Sequence, residues 1–267
     1  MNVQDLYIYP IKSLGGIRLE TAEALQRGFR FDRRWMLVDE NGKFITQRVE
    51  HQLALLATQI TGGKLQIYHQ RSPENKLDID FDQHFTSSIN VSIWDDSVEA
   101  THVNKEIDIW FSTVLNKPCK LIFMREDGLR PVSEADSFND VHVSFADAFP
   151  YMLISQASLD DLNSRLAQPV PMNRFRPNLV ISGTGAFEED TWSEIKIGEV
   201  CFKVVKPCAR CILTTVDQET GIKGLEPLQT LSRFRKVENK VLFGQNLVAL
   251  NEGVIRVNDS VEIISYM

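Results

Sequence analysis

An Asn-Gly pair at positions 41 and 42, set between RWMLVD (34–39) and FITQ (44–47), is the first constraint on the fold. The tight turn that joins two twisted antiparallel strands needs φ > 0 at its centre, which Asn and Gly adopt at little cost, so the pattern predicts a β-hairpin. Similar punctuation recurs. Runs over 3–9, 53–60, 65–68, 77–81 and 89–94 are apolar or β-branched, with turns expected at Gly62-Gly63 and Ser72-Pro73, and they predict further short strands. Over 104–115 the period changes, with Ile107, Trp110, Phe111, Val114 and Leu115 at helical spacing, which predicts an amphipathic helix packed on the core.

Beyond it, strands are expected at 119–124, after Asp147, at 179–181, on both sides of Gly198-Glu199, and in FGQNLVAL and GVIRVNDSVEII near the C-terminus. Ser155–Leu166 reads as a capped helix with Leu159, Leu162 and Leu166 inward, and the polar stretch 223–238 as holding a short helix. Residues 125–140, polar and carrying Gly128 and Pro131, read as a long loop. The expected class is mainly β with a few helices (α+β). A length of 267 residues suits two domains, with the boundary beside the 104–115 helix, giving 1–115 and 116–267.

A formal charge of −7 argues against binding to nucleic acid or to a membrane surface, both polyanionic. Four cysteines, no signal peptide and no apolar run approaching about 18 residues predict a soluble cytoplasmic protein. In so acidic a chain, a local group of arginines would point to a small anionic ligand such as a phosphate.

The stretch KPCARCILTTVDQETG (206–221) holds two of the cysteines. Pro207 cannot donate a ladder hydrogen bond, so the first half is expected to be a loop, and β-branched Ile212–Val216 a strand. Cys211 then falls at the junction beside Arg210, whose charge favours a thiolate. The residues alone leave packing, metal ligation and redox pairing open. Zinc would need two more ligands, and no second close pair supplies them. A thioredoxin-type pair normally precedes a helix. Elsewhere, Lys12 and Ser13 lie on a turn before Gly15-Gly16 without a full P-loop pattern, and the predicted hairpin brings Arg33 and Arg48 to one end. Arg174, Arg176 and Asn178 lead into the 179–181 strand, with Pro177 favouring an extended approach. Cys201 reads as packing, and His142 has no neighbour that would make it a ligand or base.

Taken in order, YPIKS (9–13), DRRW (32–35), RFRPNLVISG (174–183), KPCARCILTTVDQETG and FGQNL (243–247) resemble the MOSC superfamily. The likeness is to its two-domain members, which include the mitochondrial amidoxime-reducing component and bacterial reductases of N-hydroxylated bases. The resemblance implies a MOSC β-barrel preceded by a smaller β-rich domain, and a molybdenum ion held by a pyranopterin dithiolene in its monophosphate form. It makes Cys211 the metal ligand and catalytic residue, with Cys208 an uncoordinated neighbour. It implies cofactor contacts from Lys12, Ser13, Arg33, Arg48, Asp147, Arg176, Asn178 and Arg210. The reaction implied is two-electron reduction of a small N-hydroxylated substrate, its oxygen leaving as water. Because no cysteine follows Cys211 before Met267, the C-terminal iron–sulfur domain of some bacterial relatives is not expected, and an external electron-transfer protein of ferredoxin or flavoprotein type is. The family alternative is a sulfur or molybdenum cofactor carrier, with a persulfide on Cys211 and no reductive turnover.

Overall fold

Pairing between strands far apart in sequence organises the computed structural model, which describes residues 1–81, 87–132 and 141–267. The first half carries β1 (Asn2–Ile8), β2 (Ile17–Leu19), β3 (Thr21–Leu25), β4 (Gly28–Phe29), β5 (Trp35–Val38), β6 (Leu56–Thr61), β7 (Lys64–His69), β8 (Ser72–Asp80), β9 (Ser87–Ile93), β10 (Asp96–His102), α1 (Lys105–Leu115) and β11 (Lys120–Phe123). The second carries β12 (Tyr151–Ser155), α2 (Gln156–Ser164), β13 (Leu179–Ser182), β14 (Trp192–Ile197), β15 (Val200–Arg210), α3 (Leu228–Phe234), β16 (Lys236–Val237), β17 (Lys240–Ala249), β18 (Gly253–Arg256) and β19 (Val261–Tyr266). The fold is mainly β, as expected, with three α-helices among the described residues.

The largest sheet runs β19-β14-β15-β17-β12-β13-β1-β2, with β16 on β17. Smaller sheets run β5-β11-β10-β9, β18-β3-β4 and β6-β7-β8. Strand β1 reaches the large sheet by pairing antiparallel with β13, Leu6 opposite Leu179. Strands β12 and β13 pair in parallel, which requires a crossover, and α2 lies in that connection. One core packs Trp192, Phe202, Tyr151 and Leu6 against the large sheet. A second packs the Ile107, Phe111 and Leu115 stripe of α1 with Trp35, Leu65 and Ile67. The helix starts where its sequence says it should, since the Asn104 side chain accepts from Ile107 N at 2.8 Å. Ser155 caps α2 in the same way, and Leu166 falls beyond its last turn, partly buried.

Several local expectations change. The Asn41-Gly42 turn forms, with Gly42 at φ 74° and Asp39 N donating to Lys43 O. Its second arm makes only a bridge, Val38 to Phe44, because Phe44 N turns to Ser92 O of β9 and Thr46 O takes Val49 N and Glu50 N. The segment 53–60 begins as a short 3-10 turn, His51–Leu55, before β6. Ser72-Pro73 opens β8 instead of a turn, and Pro73 falls where the register with β7 shifts, so its missing donor is not needed there. Of the expected 125–140 loop, residues 133–140 lie outside the described residues. Among the described residues no helix is long and apolar enough to cross a membrane.

The cysteine stretch also reads differently in three dimensions. Residues 206–210 belong to β15, with Pro207 opposite Gln245 of β17 and register shifts on either side of it. Those bulges absorb the proline. Ile212–Thr215 forms a 3-10 turn, not a strand. The Thr214 and Thr215 hydroxyls donate to the carbonyls of Cys211 and Ile212 at 3.0 and 2.7 Å, a local bonding that outcompetes β propensity.

Candidate active site

Where β15 ends, Cys211 opens on a cavity of about 340 Å³. All nine residues singled out above, Lys12, Ser13, Arg33, Arg48, Asp147, Arg176, Asn178, Arg210 and Cys211, line it, and so does Cys208. They arrive from the turn after β1, the approach to β5, the bridge-forming arm after Gly42, the segment before β12, the start of β13 and the end of β15.

A chain of polar contacts runs along the thiol side. Lys12 is buried, and its Nζ donates to Phe145 O at 2.7 Å and pairs with the Asp147 carboxylate. Asp147 Oδ2 accepts from Arg48 Nη2 at 2.7 Å, and Arg48 Nε points at Cys211 Sγ at 3.1 Å. The Arg48 guanidinium also lies over the Trp94 ring, 4.6 Å from its centre. Burial pulls the Lys12 amine down to about 8 against the opposing pull of Asp147. Burial would raise Asp147, but Lys12 and Arg48 override it and hold its carboxyl well below the usual carboxylate range. Solvent still reaches 45% of the Asp147 side chain through the cavity, which screens the pairing in part.

The opposite side is built from arginines on unusual backbone. Arg33 and Arg176 have φ of 49° and 58°, and Ser13 has 71°. For residues other than glycine that left-handed region costs roughly 1–2 kcal/mol each, and such strain gathers at functional sites. Arg33 pairs with Asp32 at 2.6 Å and donates to Asn178 Oδ1 at 3.2 Å. Arg176 donates to Leu14 O at 2.6 Å, and burial lowers it to about 10, where it remains charged at neutral pH. The Asn178 amide is engaged within the fold, accepting from Arg33 and Met152 N and donating to Tyr7 O, so it braces the wall. Arg210 donates to Phe175 O and reaches both Met152 Sδ and Cys208 Sγ, while its buried Nε has no partner among the described residues.

Lys206, Lys240 and Asn246 also line the cavity without having been singled out. Asn246 lies in the FGQNL run and Lys206 opens KPCARC, both of which carried the family resemblance and offered a signal; Lys240 looks like a solvated strand residue until β15 and β17 pair. Tyr9 and Asp32, which flank the arginine pair from within YPIKS and DRRW, were missed in the same way.

Seven cationic side chains thus face one carboxylate among the described lining residues, in a chain of net charge −7. Among the described residues no group of three or more His, Cys, Asp or Glu could hold a metal ion. A metal at Cys211 would therefore need donors from a bound ligand.

The model of the MOSC N-terminal beta barrel domain matches residues 1–118, and that of the MOSC domain residues 140–262. Mouse (Mus musculus) mitochondrial amidoxime-reducing component 1 is 34% identical, over 98% of this chain and 82% of that protein. The chain belongs to the MOSC family. Other MOSC relatives include rat (Rattus norvegicus) mitochondrial amidoxime reducing component 2, 34% identical over 97% of this chain and 82% of its own length. Rice (Oryza sativa subsp. japonica) molybdenum cofactor sulfurase is 31% identical over 91% of this chain but only 32% of its own length. The MOSC cavity here fits an anionic, metal-bearing pterin: one sulfur ligand at its edge, cations for a phosphate, and the unpartnered Arg210 Nε.

Proposed function

We propose that the chain is a molybdenum-cofactor-dependent reductase of small N-hydroxylated compounds, with Cys211 as the protein ligand of the metal. One observation carries the reading: among the described residues, Cys211 meets seven cations and a single carboxylate in one cavity, in a chain related to amidoxime-reducing components. Bound there, the pterin-held metal supplies the two-electron chemistry that takes oxygen from an N–OH group. The chain supplies the rest. Cys211 offers a soft thiolate donor. Arg48, fixed by Asp147, donates a hydrogen bond to that sulfur and sets its orientation. Arg33 and Arg176, with Lys12 and Ser13 nearby, hold the anionic end, and Arg210 keeps Cys208 turned toward itself. Electrons come from an external electron-transfer protein of ferredoxin or flavoprotein type.

Protein made in a host that assembles the cofactor is expected to carry close to one molybdenum per chain and, once reduced, to convert an aryl amidoxime to its amidine. Cys211→Ala abolishes both, and Cys208→Ala retains the metal. Protein from such a host with no stoichiometric molybdenum sinks the reading. The match to the rice sulfurase favours a second reading, a sulfur or cofactor carrier. Cyanide-labile sulfur on Cys211, together with no turnover by a chemically reduced sample, would select it.

A further inference from the structure

Tyr9 has no part in the function proposed above, yet Arg33 and Arg176 both rest on it. Its ring lies under the Arg176 guanidinium at 4.2 Å and the Arg33 guanidinium at 4.5 Å. The ring is only 2% exposed and is held at both ends: its hydroxyl donates to Pro177 O at 3.1 Å, and its backbone N donates to Asp32 Oδ1 at 2.7 Å. Asp32 also takes Arg33, at 2.6 Å. Among the described residues no carboxylate lies within ion-pair distance of Arg176, so Asp32 is the one carboxylate paired directly with either guanidinium group. Like charges so placed repel, and both sit on strained backbone. The electron-rich ring face offsets part of that repulsion. Arg33 Nη1 is engaged by Asp32 and Asn178, its Nη2 by Arg176 O at 3.3 Å, and Arg176 Nη1 by Leu14 O, so what remains is positive charge at the cavity wall and the other N–H groups of the two side chains, donors that an oxoanion accepts.

We infer that Tyr9 is a positioning residue that sets the spacing and tilt of Arg33 and Arg176, making the pair a preformed oxoanion site. The inference rests on the proposed function only for the natural occupant, the phosphate of a pterin ligand; the site itself rests on the geometry. Gly16 gives a way to disturb the ring without removing it. The glycine is exposed, and a Cβ there would stand 2.5 Å from Tyr9 Cε1, so in Gly16→Ala the ring and the turn at residue 16 must shift against each other.

The full chain, made in a host lacking the pterin pathway, is titrated with inorganic phosphate by calorimetry, and the thermal midpoint of each variant is recorded. Wild type binds one phosphate per chain. Gly16→Ala and Tyr9→Leu, titrated below their thermal midpoints, each weaken binding about tenfold, while Tyr9→Phe, which keeps the ring, stays within about twofold. The inference is overturned if wild type binds no phosphate, or if Gly16→Ala binds it as tightly as wild type. Should Tyr9→Leu not fold, Gly16→Ala decides. A holo preparation without molybdenum would overturn the proposed function and leave the phosphate series intact, so the two failures are told apart.

Discussion

Arg33 and Arg176 are held by stacking on Tyr9 and by left-handed backbone, whereas Lys12 and Arg48 are held by a shared carboxylate that solvent reaches. The charges of the first wall do not titrate near neutrality, and its geometry is set before any ligand arrives. The second is a relay of ion pairs ending on a thiol, and its charges can exchange partners when a ligand enters. A cavity that must bind an anion tightly and also let chemistry occur beside a sulfur needs both kinds of wall. Rigidity belongs where the ligand is anchored, and exchangeable contacts belong where it reacts.

The largest expected effect falls on the rigid wall. Replacing both Arg33 and Arg176 by Met removes two charge-assisted donors, each worth about 1.5–3 kcal/mol, so the purified protein should lose its pterin almost entirely. Pterin fluorescence after denaturation measures it, and full retention would place the anchor elsewhere. Next comes the junction of the other wall. Asp147→Asn leaves Lys12 buried without its counter-charge, and denaturant unfolding should show a loss of about 1–3 kcal/mol, toward the low end because the carboxylate is partly solvated.

The pH response separates the walls most cleanly. Lys12 titrates at about 8 in the folded chain against an ordinary 10.5, so between those values the unfolded chain binds more protons and this residue's contribution to stability rises with pH. Phosphate binding moves the opposite way. As pH passes about 8 the neutral amine stops attracting the anion, and affinity should fall up to about tenfold, a fall that Lys12→Met abolishes and that Tyr9→Phe leaves in place. The smallest effect is at the rim, where Trp94→Ala removes the ring beneath Arg48 and should cost about 0.5–1 kcal/mol by denaturant unfolding.

Legibility in the sequence followed the range of the interactions. The α1 stripe and the Asn41-Gly42 turn depend on neighbours a few residues away, and both could be read directly. The path of Pro207 through β15 could not, because two bulges against β17 decide it. Nor could the 3-10 turn after Cys211, where β-branched threonines bond to their own backbone. Residue type and motif order marked the lining arginines, lysine and cysteine. Tyr9 and Asp32 escaped notice because their importance lies in what they support, and sequence spacing carries no trace of a ring lying beneath two guanidinium groups 24 and 167 positions away.

The antiparallel pairing of β1 with β13, Leu6 opposite Leu179, also sets a timetable. On a ribosome the N-terminal strand must wait for its partner, and the same delay applies to Lys12 with Phe145, Arg33 with Asn178 and Arg48 with Cys211. Contacts of such long sequence separation form late and slowly. A nascent chain released before Cys211 would therefore have most of the basic side chains and nothing to close around. Any cofactor must enter after synthesis is nearly complete, into a chain that has only then acquired a place to put it.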